Sequence, residues 1–389
     1  MPYMIRSRDQ HLASDGQPKR ILALDGGGLR GIATLAILQE IETLLRARHG
    51  NDPDFRLCHY FDLVAGTSTG AIIAATVALG WSVEAIRAKY MDLGSRVFER
   101  SWFRHGLLRA KYDESRLVNE LQHVYGTTTT LGSDEIKTGL LVVTKRTDTG
   151  SPWPISNNPR GQYFAARPGG TVGNGDYPLW QVVRASTAAP SYFDPETITI
   201  VNPLGAAPVV GEFIDGGVSP FNNPALMALM YATLDGYRIG WPTGAERLLV
   251  VSVGTGASDP SVKPSKLAAA GAVKALLSLM EDCAVLQETV LQWMSSSVTA
   301  RGFDREIGDL GGCLMGGAAQ ISYLRYNVSL AEDAVKALDP TPPDASRLAS
   351  LREMDAPENM TYLHRLGTLA GKRDVKEAHF PRVFDLPQT

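Results

Sequence analysis

The sequence holds no apolar run long enough to cross a bilayer. Its longest uncharged stretch of strong apolar character, Ala71 to Val83, falls short of the roughly 20 residues a spanning helix needs. Cysteine is scarce: Cys58, Cys283 and Cys313 are odd in number, far apart and form no C-x-x-C pair. That argues against a disulfide framework or a cysteine zinc site and fits a reducing compartment. A basic excess is also missing. With 38 Lys and Arg against 41 Asp and Glu the net charge is −3, so no whole-chain positive field argues for a nucleic-acid polymer. His and carboxylate residues show no metal-ligand spacing. The opening MPYMIRSRDQHLASDGQPKR has no signal-type apolar run, and residues 1–19 are expected to form a flexible polar leader. Together these absences point to a cytoplasmic protein with at most peripheral membrane contact.

What is present is an alternation of short apolar runs, glycine turns and helical periodicity. RILALD (20–25) reads as a buried strand, followed by three glycines and a helix from about Ile32 to Arg48. Tyr60 to Ala65 reads as a strand, Ala71 to Leu79 as a helix, and Val83 to Leu93 as another. Further on, 140–146 reads as a strand, 148–177 as long loops, 182–193 as a helix ending in a turn, and 212–215 as a short strand. LLVVSVGTG (248–256) reads as the last clear core strand, with helical patterns over Lys263–Val298 and Leu330–Leu338. Strand then helix, repeated, predicts an α/β fold with a mainly parallel central sheet covered on both faces. One domain over 20–330 is expected, with a C-terminal helical extension over 331–389 packed on the core.

The stretch FDLVAGTSTGAIIAAT (61–76) runs from strand to helix through G-x-S-x-G. This is the nucleophile-elbow pattern. Gly66 and Gly70 let strand and helix approach closely, and Ser68 then projects at a helix N-terminus, where developing negative charge is favoured. A plain glycine turn with Ser68 as a helix cap fits the same residues.

A second glycine turn, DGGGLRG (25–31), also joins strand to helix. Consecutive backbone N–H groups at Gly26, Gly27 and Gly28 form an anion nest, Arg30 adds positive charge, and Asp25 reads as a brace for the loop. Gly26, Gly28 and Gly31 also fit G-x-G-x-x-G, but no strand-ending acidic residue follows about 20 residues on, and no G-K-[ST] follows for a P-loop.

A reactive serine needs a base. His364 and His379 lie where a Ser-acid-His chain order would require, yet neither has a strand-end glycine context. In EFIDGGVSPFNNP a strand delivers Asp215 to a Gly-Gly turn. A buried carboxylate there suits a general base, and a solvated Asp-Gly turn is the other reading.

DGGGLRG, GTSTG and DGG, in this order, together resemble the patatin-like phospholipase family. RASTAAPSYF (184–193), NNPAL (222–226) and LLVVSVGTG look like its remaining blocks, and the resemblance covers roughly residues 20 to 256. It implies a three-layer α/β/α fold and a Ser-Asp dyad without histidine, metal or cofactor. Ser68 matches the nucleophile and Asp215 the dyad aspartate. Gly26, Gly27, Gly28 and Arg30 match the oxyanion loop, with Gly66 and Gly70 framing the nucleophile elbow. The implied activity is hydrolysis of acyl esters in membrane phospholipid or related lipids through an acyl-serine intermediate.

Three further expectations follow. Residues 97–113 interleave Phe98, Trp102, Phe103, Leu107 and Leu108 with Arg100, Arg104, Arg109 and Lys111, which suits an anionic lipid surface or a folded loop. The helical stretch ending at Trp293 carries Leu276, Leu277, Met280, Val285, Leu286 and Leu291, which suits core packing or a subunit contact, so a homo-oligomer stays open. The family resemblance leaves room for a phospholipase effector switched by a small-molecule activator in bacterial anti-phage nucleotide signalling. A glycine-loop nucleotide binder without esterase activity is the third reading.

Overall fold

In a computed structural model the chain is described for residues 3–97, 114–257 and 268–388, with backbone only over 268–277. The cationic and aromatic stretch at 97–113 therefore lies outside the described residues except for Val97, as do the side chains of Leu276 and Leu277. Among the described residues nine strands are β1 (Lys19–Leu24), β2 (Leu63–Thr67), β3 (Gly139–Arg146), β4 (Pro152–Ser156), β5 (Glu196–Val201), β6 (Val209–Asp215), β7 (Leu248–Val253), β8 (Ser295–Ser296) and β9 (Ile321–Tyr326). The helices are α1 (Arg8–Leu12), α2 (Gly31–Arg48), α3 (Leu57–Tyr60), α4 (Thr69–Ala78), α5 (Val83–Val97) and α6 (Glu114–Tyr125) in the first part. They continue with α7 (Leu179–Ser186), α8 (Ala225–Thr233), α9 (Ala268–Trp293), α10 (Glu332–Leu338), α11 (Ala345–Ser350) and α12 (Met360–Asp374).

All nine strands share one sheet, in the order β5-β6-β3-β2-β1-β7-β9-β8, with β4 hydrogen-bonded to β3 off this path. The central pairs β3/β2, β2/β1, β1/β7 and β7/β9 are parallel, while β3/β4, β3/β6 and β5/β6 are antiparallel. A mainly parallel sheet is thus extended by an antiparallel flap on one side.

Successive strand residues point to opposite faces, and two cores result. Leu22, Leu24, Val64, Val142 and Val251 pack with α2, α4, α5, α7 and α12. Ile21, Ala23, Leu63, Ala65 and Val250 pack with α8 and with Leu291 near the end of α9. This is the expected three-layer arrangement. The C-terminal α12 closes the first core with Leu363, Leu366 and Ala370, the two leucines contributing about 1.5–3 kcal/mol each by burial. Among the described residues no helix is long and apolar enough to cross a membrane.

Three segments differ from expectation. Residues 3–19 are packed rather than loose: Tyr3 lies edge-on against Phe55, and Arg6 and His11 each reach Asp62 at 2.8 Å. Buried Asp62 also accepts from Arg20 at 2.9 Å, so matched charge anchors a segment whose apolar content is too sparse to read as an element. β7 is not the last core strand, because β9 lies parallel beside it and its ISYLRY is only six residues long. The glycine- and proline-rich stretch at 148–177 contains β4.

Candidate active site

β2 delivers its last residue, Thr67, opposite Val143 of β3, and α4 begins at Thr69. Ser68 sits between them at φ 55° and ψ −126°, a region costing a non-glycine residue about 1–3 kcal/mol. The turn is held from both sides. A Cβ on Gly70 would overlap the Leu24 carbonyl of β1, and one on Gly66 would overlap the Gly70 carbonyl, so strand and helix pack at a distance only glycine permits. The Ser68 N–H donates to Ser186 Oγ at 2.8 Å, and that hydroxyl donates onward to the Val143 carbonyl at 2.6 Å.

β6 runs antiparallel to β3 and sets Asp215 opposite Thr144, next to the Val143 that faces Thr67. The two side chains meet across β3: the Ser68 hydroxyl lies close enough to the Asp215 carboxylate to lower its pKa. Asp215 is buried, and its Oδ1 accepts the Gly217 N–H at 2.7 Å. Burial pushes its pKa up to about 6, opposed by the Ser68 hydroxyl, the Gly217 hydrogen bond and the nearby Arg184 charge. Such a carboxylate is ionised at neutral pH yet close enough to its pKa to take a proton.

The triple-glycine loop leaves the end of β1 beside this pair. A Cβ on Gly26 would press against Ser68 Cβ and the Asn222 amide oxygen. Three N–H donors were expected here, and the count narrows to two. Gly26 N–H is already engaged by the Asn222 carbonyl at 3.1 Å, whereas Gly27 and Gly28 N–H have no acceptor among the described residues. Gly28 has φ +58°, which no side chain adopts without strain. Arg30 is buried and braces the loop by an Nε bond to the Gly27 carbonyl at 3.4 Å.

Other supports of the loop come from distant sequence. Tyr90 donates to the Gly28 carbonyl at 2.6 Å and Thr255 to the Gly26 carbonyl at 2.9 Å. Asp25 is clasped by Arg325 of β9 at 2.9 and 2.6 Å, and Arg325 also reaches Ser252 at 2.7 Å. Burial pushes the Asp25 carboxyl up, with the Arg325 guanidinium pulling the other way.

Neither rival histidine joins the pair. His379 hydrogen-bonds to Tyr326 at 3.0 Å, and His364 on α12 faces Arg87 and Glu84 of α5. Sequence reading missed Ser186, Asn222, Thr255 and Arg325. The first three stood in stretches already singled out, RASTAAP, NNPAL and SVGTG, but nothing in those strings gave each side chain its task. Arg325 had no local signal at all.

A family model described as patatin-like phospholipase matches residues 22–229. The chain is 28% identical over 259 residues to a cGAMP-activated phospholipase of Escherichia coli strain TW11681, covering 66% of this chain and 67% of that one. It is 33% identical over 252 residues to a cUMP-AMP-activated phospholipase of Escherichia coli, covering 64% and 68%. It is also 26% identical over 268 residues to Patatin-17 of Solanum cardiophyllum, covering 63% and 62%. With over half of its length matched in this way, the chain belongs to the patatin-like phospholipase family.

Proposed function

We propose that the protein is a serine acyl hydrolase acting on phospholipid or related acyl-ester lipids, with Ser68 as nucleophile and Asp215 as general base. The observation that carries this is the placement of the Ser68 hydroxyl beside a buried carboxylate whose pKa it lowers, with Ser68 on a strained turn. As Ser68 Oγ attacks the ester carbonyl, its proton passes to Asp215. The Gly27 and Gly28 N–H groups stabilise the tetrahedral oxyanion. The intermediate collapses, the alcohol leaves with the proton from Asp215, and acyl-Ser68 remains. Water then repeats the sequence, giving up a proton to Asp215 and releasing the fatty acid as Ser68 is re-protonated. Residues 20–330 form the catalytic domain in this reading, and 331–389 its helical extension.

The test is mass spectrometry after treatment with a fluorophosphonate. Labelling at Ser68, lost in Ser68→Ala and abolished or strongly slowed in Asp215→Asn, is expected. A labelled protein whose modification falls elsewhere, or hydrolysis that survives Ser68→Ala, overturns the reading, and a glycine-loop nucleotide binder would show neither.

A second layer is supported by the names of two relatives, each a phospholipase activated by a nucleotide. Hydrolysis here is then low until a small molecule binds, and the protein works peripherally at a membrane from the cytoplasm, with 97–113 as the lipid-facing stretch. Turnover of a vesicle substrate with and without cGAMP or cUMP-AMP tests it.

A further inference from the structure

Beside the glycine loop lies a cavity of about 890 Å³. The chain just beyond β7 and β9 forms part of its lining, and α9 and the segment from Arg352 to His379 supply the rest. Neither Ser68 nor Asp215 lines it. Its volume falls in the upper range for small-molecule sites.

Several residues facing this cavity hold the glycine loop. Asn222 and Thr255 bond to the two sides of Gly26, and Arg30 bonds to the Gly27 carbonyl. Met354 accepts the Leu29 N–H at 2.7 Å and blocks any side chain at Gly28. Asp25, at the loop's root, also faces the cavity. A ligand in the cavity therefore touches the supports of Gly26, Gly27 and Gly28 together.

The lining also has the chemistry of a ligand site. Arg325, Arg301 and Arg373 are paired with Asp25, Glu288 and Asp374. Arg352 and Lys376, both exposed, have no ion pair among the described residues. Val285 and Val298 are apolar yet 44% and 65% exposed, and the Tyr326 and His379 rings stack at 19°. Glu281 and Asp282 face the cavity too, and with Arg30 counted its cations outnumber its carboxylates by one, six to five; beside the apolar contacts, Arg352 and Lys376 suit a ligand with anionic phosphates and aliphatic or planar groups.

We propose that this cavity is a second binding site, for a phosphodiester-bearing effector held by Arg352 and Lys376, and that its occupancy fixes the glycine loop and raises turnover at Ser68. The proposal rests on the serine-hydrolase reading. Phosphodiesters reach a protein from two sources, a cyclic dinucleotide or a glycerophospholipid headgroup, and the two are separable.

The experiment uses the full chain, calorimetry for binding and a water-soluble p-nitrophenyl ester for turnover, with cGAMP, cUMP-AMP and glycerophosphoglycerol as probes. At least one probe is expected to bind saturably and raise turnover by about 5–100-fold, the usual span of a coupling between sites. Arg352→Glu and Lys376→Glu should each weaken that binding about tenfold or more, with melting temperatures without probe confirming folding and Arg352→Ala as the milder variant. Response to a dinucleotide assigns a nucleotide effector, and response to glycerophosphoglycerol assigns a lipid headgroup. No saturable binding of any probe, or binding and activation unchanged in the folded charge-reversal variants, overturns the proposal. Fluorophosphonate labelling of Ser68 reports on the hydrolase reading separately.

Discussion

Ser186 and Ser68 are joined by a hydrogen bond in which the Ser186 hydroxyl accepts the Ser68 backbone N–H at 2.8 Å while donating to β3 at 2.6 Å. The strained turn is thereby clamped to the sheet from a third direction. Ser186→Ala leaves the Ser68 N–H without a partner, costing about 1–3 kcal/mol. If the clamp matters most when Ser68 attacks, kcat for a soluble ester falls about 10–100-fold with KM little changed. Full activity in a folded Ser186→Ala variant would show the clamp to be structural only.

The raised pKa of Asp215 sets the pH dependence. The base must be ionised, so turnover should rise with pH through about 6 and level off above it. The stability sign is opposite. The folded pKa lies above the unfolded one, so the folded state holds the proton more tightly, and stability falls as pH climbs from about 4 to 6, by about 3 kcal/mol in all. Asp215→Asn removes that penalty. It should therefore abolish turnover and, at pH 7, raise the melting temperature by a few degrees. A destabilised Asp215→Asn protein, or a pH profile with no limb near 6, would count against the assignment.

The glycine loop has little room for error. Gly28→Ala forces a side chain onto φ +58° and into Met354. With one oxyanion donor displaced, kcat should drop about 10²–10³-fold. Steady-state kinetics on a soluble ester, beside a melting curve, measure it.

Arg325 tests the loop's foundation from the far end of the chain. Arg325→Met leaves Asp25 as an unpaired buried charge, a loss of about 3–5 kcal/mol. Arg325→Lys keeps the charge but not the two-pronged contact, and should recover only part of the melting temperature. Equal stability of parent and Arg325→Met would show that the pair contributes nothing net.

Much of the architecture was legible because its signals are local. RILALD, the two glycine turns and EFIDGG each announce a strand end with its chemistry, and each stands where expected within a few residues. The boundaries moved where tertiary contacts decide them: Tyr60, read as strand, ends the short helix α3, and β2 starts at Leu63. β9 was missed because six residues of mixed character carry little periodic signal, and so Arg325 stayed invisible. The N-terminal segment was read as loose because its anchor, Asp62, is a charge inside the body rather than an apolar run of its own. The third N–H donor failed for a similar reason, since no sequence pattern says that Asn222 already occupies Gly26.

Ser68 and Asp215 reach each other from strands on either side of β3, so that one strand works as a ruler. A slip of β6 by two residues would carry the carboxylate roughly 7 Å away without disturbing the elbow. The aspartate belongs to the peripheral antiparallel flap, and the serine to the parallel heart of the sheet. If Ser68 and Asp215 work as the proposed pair, half of that chemistry is detachable: an insertion or partner that pries the flap would disarm the protein while its scaffold stood intact.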